Sequence, residues 1–167
     1  TTLSETEYYH QFYVTFQYSV SDSSTPTAPT VYYTQFGGSA TTTAALDTSV
    51  SDWVDAGTAV QYDNPLSDSS GTERWMISGG ATPKATVDDS VDASETLNPT
   101  YYHQFSVSFD YSTNDASTIN SQNNLVAYTQ FGGTLHLSTN SLGALSLSSD
   151  WADAGSSVLY NSPVSIS

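Results

Sequence analysis

Three kinds of residue in this chain are equipped for chemistry: histidines within a repeated aromatic pentapeptide, aspartates paired around a tryptophan, and a lone lysine. The pentapeptide YYHQF stands at 8–12 and again at 101–105, carrying His10 and His103. An imidazole titrates near neutrality and can ligate a metal or move a proton. Neither histidine has a Cys or a second His nearby to complete a metal set, so each reads as a hydrogen-bonded histidine at the end of a core strand. His136 stands alone. Asp52 and Asp55 flank Trp53, and Asp150 and Asp153 flank Trp151. Carboxylates at that spacing offer oxygens to Ca²⁺, whose full shell needs six or more. An Asp ahead of a turn glycine is also a common acceptor of backbone N–H bonds. Two readings therefore stand for Asp52, Asp55, Asp150 and Asp153: turn acceptors, or weak Ca²⁺ ligands. No other metal or cofactor is expected.

Hydrolysis by paired carboxylates needs one raised pKa in a sheltered cleft, and nothing in the pattern marks one. Nucleophile elbow, phosphate loop and zinc motif are all missing. Lys84 is the only lysine; it offers an amine for an internal isopeptide bond, with no pattern naming a partner. The chain reads as a non-enzyme.

The elements that must position these residues recur in order. YYHQF is followed by YTQFGG at 33–38 and SDWVDAG at 51–57, and in the second copy by YTQFGG at 128–133 and SDWADAG at 149–155. The spacing drifts by a few residues between blocks, as short loop insertions produce. His10, Phe12, Val14, Phe16, Tyr18 and Val20 alternate with Gln11, Tyr13, Thr15, Gln17 and Ser19. That period of two predicts a strand with the first set inward. The second copy places His103, Phe105, Val107, Phe109 and Tyr111 inward and Gln104 outward. The Gly pairs predict hairpin turns, and each W-x-DAG block predicts a turn leading to a further strand, 58–62 or 156–160, closed by Pro65 or Pro163. Residues 72–78 read as another strand. The expectation is an all-β fold of two similar small Ig-like or jelly-roll-like β-sandwich domains in tandem, mainly antiparallel. The first spans 1–79, a linker that also offers a short strand spans 80–100, and the second spans 101–167 and lacks a C-terminal strand.

Seventeen acidic residues face only Arg74 and Lys84, a formal charge of −15, which repels nucleic acid and anionic membranes. No apolar stretch has membrane-spanning length, so no membrane insertion is expected. Apolar residues make up 37 % of the chain and Cys is absent. Thin cores without disulfides call for reinforcement, for which a partner is one route.

Together with NPL at 64–66 and ERW at 73–75, these blocks resemble a repeat found in large secreted or cell-surface proteins of archaea, where it forms tandem β-rich modules. The likeness covers most of 8–78 and 101–164. It implies an extracellular structural or adhesive role. The second copy departs from the pattern, with Asn161-Ser162-Pro163 where the first has Asp63-Asn64-Pro65, and no ERW block.

A sandwich short of one strand exposes an edge that invites another chain. Strand addition by a neighbour completes it, and such contacts propagate head to tail. The expected function is a subunit of an extracellular filament or pilus-like fibre, its partners copies of itself and its assembly residues Leu3, Tyr8, Tyr9, Val164 and Ile166. The alternative is a fragment of a cell-surface repeat protein acting as an adhesive or carbohydrate-binding module, with Trp53, Trp75, Trp151 and outward tyrosines such as Tyr9, Tyr13 and Tyr102 meeting surface glycans.

Overall fold

The computed structural model describes residues 7–110, 122–139 and 146–160. Leu3, Tyr111, Val164 and Ile166 lie outside them. The described residues hold no helix, and the fold is all-β. The strands are β1 (Gln11–Val20), β2 (Thr30–Gln35), β3 (Gly38–Thr43), β4 (Ala45–Leu46), β5 (Val50–Asp55), β6 (Val60–Asp63), β7 (Glu73–Ile77), β8 (Lys84–Asp88), β9 (Thr96–Leu97), β10 (Thr100–Asp110), β11 (Gln122–Gln130), β12 (Gly133–Thr139), β13 (Ser146–Asp153) and β14 (Leu159–Tyr160). They group into two compact units. One comprises Thr1–Ser69 and Trp75–Tyr101, the other Ser70–Arg74 and Tyr102–Ser167.

In the first unit β1 runs antiparallel to β5, with Tyr13 opposite Trp53 and Phe16 opposite Val50. β4, β9 and the opening residues Thr100 and Tyr101 of β10 pair with β1 in parallel. A second, antiparallel sheet has the order β3-β2-β6-β8. Val14, Phe16 and Tyr18 from β1 and Val54 from β5 pack with Val31, Tyr33, Val60 and Tyr62 from that second sheet. Alternation on strands of both sheets thus makes a sandwich-like core.

Tyrosine compensates for the modest apolar content. Tyr62 and Tyr101 are both 0 % exposed, and each places its hydroxyl on a main-chain carbonyl, Tyr62 on Leu97 at 3.4 Å and Tyr101 on Asp63 at 2.6 Å. The ring supplies buried area while the hydroxyl stays bonded. Burial pushes both phenols well above their ordinary pKa.

In the second unit β10 runs antiparallel to β13, with Gln104 opposite Asp153 and Ser106 opposite Trp151. A second sheet has the order β12-β11-β14. Phe109, Leu125, Val126, Tyr128 and Ala152 form its core. Residues 70–74 belong here too: the Ser106 N–H donates to the Thr72 carbonyl at 2.9 Å.

Several local expectations change. His10, expected inward, is exposed, and Phe105 is 42 % exposed whereas Gln104, expected outward, is 0 % exposed. Period two separates two faces of a strand but does not say which part of each face another segment covers. W-x-D lies at the ends of β5 and β13, not in a turn. The hairpin turn is Phe36-Gly37, and Gly38 already belongs to β3. Within 80–100, β8 pairs with β6 and β9 with β1. Val91 is in no strand, yet it is 0 % exposed and bonds through N–H and C=O to Thr58 and Gly57.

Candidate functional site

The blocks common to both copies converge on one hydrogen-bonded clasp. The β2–β3 reversal takes two residues, Phe36 at φ 51° and Gly37 at φ 72°, the left-handed pair of a type I′ turn that suits twisted strands. Phenylalanine there costs about 1–2 kcal/mol of steric strain. Asp55 offsets it: Phe36 N–H donates to Oδ1 at 3.0 Å and Gly37 N–H to Oδ2 at 2.7 Å. Gln11 from β1 adds its amide, Nε2 to Asp55 Oδ1 at 2.8 Å. Tyr9 covers the turn so closely that a Cβ on Gly37 would lie 3.0 Å from its ring. Asp52 accepts from Tyr33 OH at 2.5 Å, and from Gln35 Nε2 and its neighbour Trp53 N–H at 2.8 Å each.

The second unit repeats the arrangement. Asp153 accepts from Phe131 N–H at 2.9 Å, Gly132 N–H at 2.7 Å and Gln104 Nε2 at 2.8 Å. Asp150 accepts from Tyr128 OH, from Gln130 Nε2 and from Trp151 N–H. Burial acts to raise the Asp52 and Asp55 carboxyls, but the donors aimed at them outweigh it and leave both below the ordinary carboxylate value. A Ca²⁺ ion would have to displace these donors. Among the described residues no three His, Asp or Glu side chains gather as a metal set.

A second polar cluster lies in the unit formed by Ser70–Arg74 and Tyr102–Ser167. Glu73 and Arg74 open β7 alongside β10. Glu73 Oε1 is 2.9 Å from Nε2 of His103, which is buried. Arg74 Nε donates to Gln104 Oε1 at 2.9 Å, and its guanidinium stands 4.2 Å from the Trp151 ring centre and 5.8 Å from that of Phe131. Burial lowers the guanidinium's pKa, while Asp150 works the other way. An arginine desolvated over an indole, with its Nε–H satisfied, is a strong anchor. Gln104 is thus bonded at both ends of its amide: its nitrogen to Asp153, its oxygen to Arg74. The sequence carried one signal of this pairing, a single arginine in a block present only once.

The remaining candidates are dispersed. Trp75 is 8 % exposed in the first core and donates Nε1–H to Ser24 Oγ at 2.8 Å. Trp53 is 50 % exposed beside Tyr13, ring centres 5.3 Å apart. Tyr8 is 94 % exposed and Tyr9 41 %. Lys84 Nζ stands 3.3 Å over the Tyr32 ring, at an open groove of about 300 Å³ over the β3-β2-β6-β8 sheet that Tyr33, Thr41 and Gln61 also line. No helix among the described residues is long and apolar enough to cross a membrane. Comparisons with family models, curated proteins and solved structures return no match.

Proposed function

We propose that this chain is an extracellular structural protein, a subunit of a filament or pilus-like fibre in which modules of one repeat are joined by β-strand complementation. The observation that carries this reading is the placement of residues 70–74. They follow the first NP block in sequence, yet they group with β10 and the later residues, where Glu73 and Arg74 bond to His103 and Gln104. On this reading residues 70–74 play the part that a neighbouring module's strand plays in the fibre, and a linear array extends by the same step. Backbone pairing gives such a joint affinity, and side chains in fixed pockets give it register. The acidic surface keeps unassembled subunits soluble. Cell-surface placement and the archaeal repeat resemblance belong to the same proposal.

Negative-stain electron microscopy of the native material tests it. Fibres of uniform width are expected; dispersed single particles at every concentration overturn it. Exposed Trp53 and Tyr13 favour a second reading, an adhesive module that stacks sugars on aromatic faces. A glycan array decides that reading, because binding lost on Trp53→Ala supports it and a blank array removes it.

A further inference from the structure

The two units present the same cradle, and among the described residues only one of them is filled. In the second unit His103, Gln104 and Trp151 hold Glu73 and Arg74. Their counterparts in the first unit are His10, Gln11 and Trp53, set by the same blocks. The supporting geometry is also the same. His10 lies 4.7 Å from the Phe12 ring centre, as His103 lies 4.8 Å from Phe105. The Gln11 and Gln104 amides each donate Nε2–H to the clasp aspartate at 2.8 Å. A carboxylate only accepts, so that bond fixes the amide's orientation and leaves Oε1 as its acceptor end. In the second unit Arg74 takes that oxygen. In the first, Gln11 is half-buried and its oxygen meets no donor among the described residues.

Exposure differs in the sense that an empty cradle requires. His103 is 8 % and Gln104 0 % exposed, whereas His10 is exposed and Gln11 half-buried. Phe131 is half-buried, whereas Phe36 is 63 % exposed. On the β1 edge β9 begins only at Thr15, whose N–H donates to the Glu95 carbonyl at 2.9 Å. Ser106 N–H receives a strand carbonyl, from Thr72 at 2.9 Å, while the equivalent Tyr13 N–H has only the Ser94 hydroxyl at 3.3 Å. One substitution distinguishes the sites: opposite Trp151 stands Ser106, and opposite Trp53 stands Tyr13. A guanidinium arriving along the β1 edge meets the Tyr13 ring beside the indole, where the second unit has Ser106.

From this we infer that the β1 edge at His10–Gln11–Tyr13 is a docking site for a Glu-Arg strand of another copy of the repeat. The incoming strand adds beside β1. Its Glu carboxylate meets His10, its Arg Nε–H bonds Gln11 Oε1, and its guanidinium lies over Tyr13 and Trp53. The inference rests on the proposed strand-linked assembly and names that assembly's acceptor and donor.

A peptide of sequence SGTERWMI, matching residues 70–77, is titrated into the ¹⁵N-labelled full chain and followed by amide and indole shifts. A tethered strand acts at millimolar effective concentration, so the titration extends to about 1 mM. Saturable shifts are expected at Gln11, Tyr13 and the Trp53 indole. A peptide carrying Arg74→Ala should lose them, and the exposed-site variant His10→Ala should weaken binding about tenfold. No saturation, shifts centred on Gln104 and Trp151, indifference to both substitutions, or a glycan that occupies Trp53 without competition from the peptide would each overturn the docking site. Fibres seen without peptide binding overturn this site and leave the fibre reading standing. Peptide binding by a chain that never forms fibres does the reverse.

Discussion

Replacing Asp55 with alanine removes the acceptor at the centre of the first unit's clasp. Three donors lose their partner: Phe36 N–H at 3.0 Å, Gly37 N–H at 2.7 Å and Gln11 Nε2 at 2.8 Å. Hydrogen bonds to a charged group contribute about 1.5–3 kcal/mol each, so simple addition gives roughly 4.5–9 kcal/mol. That sum overshoots, because the turn is at the surface and water replaces part of what its two N–H groups lose. Counting one full bond and half of each of the others leaves about 3–6 kcal/mol, a large share of the roughly 5–15 kcal/mol by which a domain is stable. At about 4 °C or more per kcal/mol for a unit of this size, the unit's melting temperature should fall by at least about 12 °C. Calorimetry of the full chain reads that shift, and hydrogen exchange at Phe36 and Gly37 locates it. A shift below about 3 °C with both amides still protected would refute the clasp and make the repeated geometry incidental to stability.

Acid should produce the same loss without mutation. The folded Asp52 and Asp55 lie below the ordinary carboxylate value that they regain on unfolding. Their stabilisation is therefore complete above that value and drains as pH falls through it toward the folded ones, which equilibrium unfolding followed from neutrality to strong acid will show. Arg74→Ala strips Trp151 of its cation and leaves the buried Gln104 oxygen without its donor, a cost of about 2–4 kcal/mol read as lowered stability of the second unit and a red-shifted Trp151 emission. Arg74→Lys should recover little of it, since an ammonium does not reproduce the planar Nε–H geometry. Trp75→Phe keeps the ring in the core but loses the bond to Ser24, and denaturant titration should show a loss of about 1–2 kcal/mol. Calorimetric titration with Ca²⁺ should give no heat, because the clasp carboxylates already accept from main chain, amide and phenol.

What could be read from the residues follows the range of the interaction behind it. Val14, Phe16 and Tyr18 alternate on one strand, and that local pattern placed them inside. The hairpin after Gln35 was also legible, because Gly37 punctuates it. Assigning the turn to the Gly pair failed, since Phe36 is held at positive φ by Asp55, a carboxylate from another strand. The aspartates were legible as acceptors, though not as acceptors for a remote hairpin. His10 and His103 occupy the same place in the same pentapeptide, yet one is exposed and the other buried. Among the described residues, the second has Glu73 against its ring, and the first has no counterpart to it. Strand-like character at 72–78 was visible; its destination was not, because period two says how a strand faces and nothing about which edge it joins.

In the proposed assembly, modules of this repeat are joined by a Glu-Arg strand laid along the YYHQ strand of the next. A cryo-electron microscopy map of the native material is the direct test. The expected result is fibres in which an extended segment from another module runs beside β1, its arginine over Tyr13 and Trp53 and its glutamate on His10. Isolated monomers, or fibres whose modules meet with the β1 edge at Gln11 still bare, would contradict it.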